Sequence, residues 1–168
     1  MPNRGQGELE AQAAYHQFFL APLDTTPVYD GRDTGPVAGV VEGGTALIVY
    51  TGCTDGTVHL TTSLEDASPP AEGSWEAQES VSIAIDTPLY IWGPTVDFPR
   101  REDGGPWVLE PRKPGPHRVR VSARGRGDDY GEYRLASLPV EHYLIQLWPE
   151  ASLRPRETMR DDGFGIGA

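Results

Sequence analysis

The firmest pattern in the chain is a strict alternation: Val58, Leu60, Thr62 and Leu64 are separated by polar residues. A period of two marks a strand with one face buried and the other wet. The same rhythm returns at Val81, Ile83 and Ile85, at Val119, Val121 and Ala123, and at Tyr143, Ile145 and Leu147. Residues 45–51 form an unbroken apolar run instead, which predicts a strand buried on both faces. Between that run and the alternating one stands Asp55-Gly56, a pair favoured in two-residue turns, so an antiparallel hairpin is predicted there.

Shorter signals fill in the rest. Residues 15–20 bring aromatic bulk and read as the first strand. Residues 37–42 read as a short strand closed by Gly43-Gly44, and 89–92 as an aromatic strand between Pro88 and Pro94. Residues 93–117 are rich in Pro, Gly and charge around one apolar knot, Trp107-Val108-Leu109. A last strand is predicted over 140–148, and 125–138 reads as a loop. Residues 1–12 are polar and read as frayed, with a short helical turn over 8–14, and 150–168 read as a loose tail. Many short strands and almost no helical periodicity predict one all-β domain over residues 13–149, a β-sandwich of about eight short, mainly antiparallel strands. A jelly roll is the nearest alternative. The flexible segments are then 1–12 and 150–168.

Composition adds modest constraints. Gly and Pro total 36 of 168 residues, enough to punctuate strands without implying disorder. A lone Cys53 has no intramolecular disulfide partner, which points to a reducing compartment. The first ten residues carry no apolar stretch, and no apolar run reaches membrane-spanning length. The expected address is the cytoplasm, with no membrane association.

Charge changes the picture more. The net charge is −11, and it is unevenly divided. Residues 1–99 hold fourteen acids against Arg4 and Arg32, a balance of −12, whereas 100–168 are close to neutral. Such acidity repels nucleic acid and favours a basic partner, while also serving solubility.

Candidate chemistry is sparse. No nucleophile elbow, phosphate loop or calcium loop occurs, and His16, His59, His117 and His142 stand apart from one another in the sequence. Cys53 has no base beside it and reads as a small, semi-buried residue. The ladder Arg118, Arg120, Arg124 and Arg126 reads as a solvated strand face paired with acids, and Arg126-Gly127-Asp128 as a chance tripeptide. The four tryptophans read as fillers of core and corners. Binding is therefore expected over catalysis, with no cofactor and no metal. The acids with the strongest claim to a partner are Glu65, Asp66, Glu72, Glu76 and Glu79 in one acidic stretch, then Asp128, Asp129 and Glu132. The alternative is a ligand-binding or enzymatic sandwich with a pocket of Trp92, Trp107, Tyr143 and His142.

Several patches resemble the competence protein J family (ComJ), small inhibitors of a DNA-entry nuclease. They are Ala14-Tyr15-His16-Gln17-Phe18, Ser74-Trp75-Glu76 leading into Val81-x-Ile83, Gly115-Pro116-His117-Arg118-Val119-Arg120-Val121, and Glu141-x-Tyr143-Leu144-Ile145-x-Leu147-Trp148-Pro149. With their gaps they span residues 14–149, although 93–114 and 124–138 are longer than the family pattern. The resemblance implies an inhibitor or immunity protein that meets a basic nuclease. The charge argument points the same way, because clustered carboxylates can accept the Arg and Lys hydrogen bonds otherwise given to phosphates.

Overall fold

The computed structural model describes residues 6–28, 33–41, 43–95, 99, 104–128, 130–134 and 139–165, and every regular element among them is a strand. In chain order these are β1 (Gly7–Ala14), β2 (Gln17–Ala21), β3 (Ala38–Val40), β4 (Leu47–Tyr50), β5 (Asp55–Leu64) and β6 (Ala77–Ile85). They continue with β7 (Leu89–Trp92), β8 (Val108–Leu109), β9 (Gly115–Arg124), β10 (Tyr133–Arg134), β11 (His142–Pro149) and β12 (Glu157–Arg160). All-β is what the periodicity predicts; twelve strands exceed the eight expected.

The strands form one sheet in the order β12-β6-β9-β11-β5-β1-β2-β4-β3, with β7 added to β2, β8 to β7 and β10 to β5. The pairing is mixed, because β11 and β10 both run parallel to β5. The sheet curls strongly, so the two packed sheets of a sandwich are not what is seen. One apolar cluster fills the concave face, including Phe18, Leu20, Leu47, Leu60, Ile83, Val121 and Ile145. Burying each such side chain is worth roughly 1.5–3 kcal/mol.

The alternation assigns the faces. On β5, β9 and β11 the inward residues are Val58, Leu60 and Thr62, then His117, Val119 and Val121, then Tyr143, Ile145 and Leu147. Outward on β1 and β5 stand Glu8, Glu10, His59 and Thr61.

Three expectations about the elements fail. The Asp55-Gly56 hairpin does not form: both residues lie inside β5, which pairs with β1 and β11, while β4 pairs with β2 and β3. Residues 7–14 are neither frayed nor helical but form β1, because Leu9, Ala11 and Ala13 supply an inward face of period two. The hairpin turn falls instead at Tyr15-His16, both left-handed (φ 54° and 60°), the geometry of a two-residue turn usually built from Asn and Gly. The expected tail contributes β12 against β6, so its chain is held by a ladder.

Side chains close the seam where the curled sheet returns on itself, and among the described residues a backbone bond from the Ala84 N–H to the Gly44 carbonyl (2.8 Å) helps. Glu79, inward on β6 and wholly buried, accepts from the Val37 N–H (2.9 Å) and the Ala38 N–H. Its other oxygen lies 2.8 Å from Arg156, which also donates to the Ala38 carbonyl (2.9 Å). Buried Arg126 makes a second stitch, forking onto Asp162 and donating to the Pro36 carbonyl (2.9 Å).

Candidate protein-binding surface

The two ends of the curled sheet differ. One gathers the β1–β2 turn, the 51–54 connection, the 125–134 loop and the start of β11. Its foundation is Glu141, fully buried, whose carboxylate accepts from the Gly52 N–H (2.7 Å), the Cys53 N–H (2.8 Å) and the Tyr143 hydroxyl (2.6 Å). The connection so fastened grips its neighbours: Thr54 N–H donates to the Glu132 carbonyl (2.8 Å), Gly131 N–H to the Gly52 carbonyl (2.8 Å) and His16 N–H to the Thr54 carbonyl (3.0 Å). The His16 ring lies against the Thr51 carbonyl (3.3 Å) and the Thr54 hydroxyl (3.1 Å), which holds the left-handed turn in place.

This frame presents three tyrosines to solvent. Tyr15 is 70% exposed, Tyr130 58% and Tyr133 70%. Tyr130 sits between the rings of His16 (6.0 Å) and Phe164 (5.5 Å). Tyr133 pairs with Asp55 across β10 and β5, and Asp128 and Glu132 are exposed in the same loop. Among the described side chains of this loop the one cation, Arg126, is buried and spent on Asp162. The surface is therefore aromatic and anionic on a well-tethered backbone.

The expected partner-binding acids divide. Asp128 and Glu132 belong to this end; Asp129 lies outside the described residues. In the acidic stretch from Glu65, Asp66, Glu72 and Glu76 stay exposed and Glu65 is half-buried, three of them with partners inside the chain. Glu65 accepts from the Ser63 hydroxyl, Asp66 pairs with Arg112 at 2.7 Å, and Glu76 accepts the Gly125 N–H at 2.9 Å. Glu79 is a correction: as an inward residue of β6 it is buried at the seam and not available to a partner. Glu72 lines a cleft of about 320 Å³ together with Glu8, His59, Trp75, Arg124 and His142.

The arginine ladder is also corrected. Arg118 and Arg120 point outward from β9, yet the 66–76 loop and the chain after β11 cover them, leaving them 2% and 6% exposed. Arg120 donates to the Pro69 carbonyl (3.0 Å) and stacks on Trp148 (5.1 Å). Arg118 donates to Ser82 (2.9 Å) and the Arg154 carbonyl (3.2 Å). Arg124 alone stays exposed, over the Trp75 ring at 5.1 Å.

The expected aromatic pocket is not assembled. Trp92 meets Phe19 edge to face (5.2 Å) in a small separate cluster, and Tyr143 is in the main core against Phe18 (5.4 Å). Trp107 packs near Gly7 with its N–H on Thr62 (3.2 Å), and His142 is on the outer face. Trp75, Trp92 and Trp148 are buried, as expected of fillers. Sequence reasoning missed the meeting of His59 and His142, whose rings lie 5.0 Å apart because β5 and β11 pair in parallel. Burial first, then His59 and Arg124, hold the His142 imidazole below its ordinary value. Cys53 is wholly buried, and desolvation followed by the nearby Glu141 charge pushes its thiol far above the usual range.

Among solved structures, the protein named Crocagin biosynthetic gene J is similar, with a TM-score of 0.54 and 16% identity over 86% of this chain and 96% of that one. The likeness is one of fold. No family model and no curated protein matches the chain, so the competence protein J resemblance rests on the quoted sequence patches alone.

Proposed function

We propose that the chain is a non-catalytic binding module. Its interaction surface is the tyrosine- and acid-bearing end, and its partner is a basic protein with the chemistry of a nuclease groove. The observation that carries this reading is the convergence of exposed Tyr15, Tyr130 and Tyr133 with Asp55, Asp128 and Glu132. Tyrosine offers a broad contact area at low rotamer cost and is enriched where binding energy concentrates. Its ring face attracts guanidinium, and neighbouring carboxylates accept the same fork of N–H groups.

Preorganisation supports the reading. The Glu141 network fixes the 51–54 connection before any partner arrives, so less loop ordering opposes association. The net charge of −11 would speed encounter with a cationic surface. A thiol as buried as Cys53 is poorly suited to nucleophilic work.

The test is retention of native-host proteins on the immobilised chain, beside the double variant Tyr133→Ala, Glu132→Gln. The reading expects a basic nucleic-acid-cleaving protein that the wild type retains and inhibits and the variant releases. Retention of neutral or acidic proteins only, or retention unchanged in the variant, contradicts it.

A further inference from the structure

The opposite end of the sheet holds a cavity of about 310 Å³ where β5 and β11 finish and β9 begins. Leu64, Leu147, Pro149 and Pro111 give it an apolar lining continuous with the core. Residues 110–113 form one wall, latched to the other by the 2.7 Å contact between Arg112 and Asp66.

His117 makes this cavity more than a gap in packing. It is the first inward residue of β9 whose side chain is buried, 3% exposed, and it lines the cavity. Its Nδ1 lies 2.9 Å from the Gly115 carbonyl, an acceptor only, so Nδ1 carries the proton. In the neutral ring Nε2 is then an acceptor, and among the described residues no group donates to it. Glu65 and Glu110 add carboxylates to the same lining. Of the two cations in the lining, Arg112 is engaged by Asp66 and Lys113 is exposed.

We propose that this mouth is a binding site for a small amine cation with a flat apolar body. The apolar lining takes the body, and imidazole Nε2 and the Glu65 carboxylate accept from the ammonium. An apolar cleft with a few convergent polar groups at a barrel mouth is a common form of ligand site. Here the convergent groups are chiefly acceptors, which selects donors and disfavours anions. The site is remote from the tyrosine-bearing end and does not depend on it.

Three probes of one skeleton test the proposal: 2-phenylethylamine, 2-phenylethanol and phenylacetate, each titrated into the isotope-labelled protein and followed by NMR. The expected result is saturable shifts at residues 64–66, 110–113, 117 and 147–149 with the amine, at least about tenfold tighter than with phenylacetate. Glu65→Gln, a near-isosteric change at a half-buried position, should weaken the amine several-fold and leave the alcohol unchanged. His117→Phe should abolish the amine shifts; should that variant not fold, the Glu65→Gln comparison decides alone. Absent or scattered shifts, equal affinity for amine and phenylacetate, or an indifferent Glu65→Gln variant would overturn the proposal.

Discussion

Glu79 and Arg156 lie 2.8 Å apart at the seam, one inward on β6 and the other just before the adjoining β12, and both reach across to Ala38. Glu79 is wholly buried and Arg156 is 18% exposed, so removing the arginine strands a carboxylate in the core. Arg156→Ala is expected to cost about 3–5 kcal/mol, the usual penalty for an uncompensated buried charge. Urea unfolding measures it. Gly35→Ala should act on the same pair, because a Cβ there would overlap both the Glu79 carboxylate and the Arg156 guanidinium.

The C-terminal chain is expected to be part of the folding unit. Deleting residues 154–168 removes Arg156, Asp162 and β12 together and leaves Glu79 and Arg126 unpaired. The truncated protein should be digested rapidly by protease under conditions where the full chain survives. Asp162→Asn alone should lower stability by about 3 kcal/mol or more, since Arg126 is fully buried.

How much of this was legible in the sequence varies by element. The period of two at Val58 to Leu64 and at Val119 to Ala123 identified β5 and β9 and their inward faces, because burial on one side leaves its mark on every second residue. The Asp55-Gly56 signal misled, since local turn preference was overridden by pairing of β5 with a strand more than forty residues earlier. The Tyr15-His16 turn carries no glycine to announce it. Glu79, Arg118, Arg120 and Arg126 looked like solvated charges because each owes its burial to segments remote in the chain. The tyrosine-bearing end was legible only through Asp128 and Glu132; Tyr15 and Tyr133 join them by tertiary folding alone.

Cys53 predicts an alkaline limit. Its thiol stays protonated in the folded state well above the ordinary 9.0, whereas the unfolded thiol ionises there. Above pH 9 the unfolded state therefore binds fewer protons, and stability should fall by up to about 1.4 kcal/mol per pH unit. Tyr143, raised chiefly by burial and then by Glu141, acts in the same direction at higher pH. Chemical denaturation across the alkaline range should show the decline, shallower in Cys53→Ala; in the native state the thiol should resist a disulfide reagent.

The His59–His142 pair predicts a titration. Since burial, His59 and Arg124 all depress His142, its NMR midpoint should fall below 6.5. His59→Gln should move that midpoint upward. With the folded value depressed, this group withdraws stability as pH falls through the unfolded value near 6.5.

The central claim is that the tyrosine- and acid-bearing end meets a basic protein. Association kinetics with the partner recovered from the native host, recorded at increasing salt, test it most directly. The account predicts an on-rate that falls with salt, a shallower fall in the variant Asp128→Asn, Glu132→Gln, and faster dissociation in Tyr133→Ala by about 2 kcal/mol or more at unchanged melting temperature. An on-rate indifferent to salt, with all three substitutions silent, would contradict it.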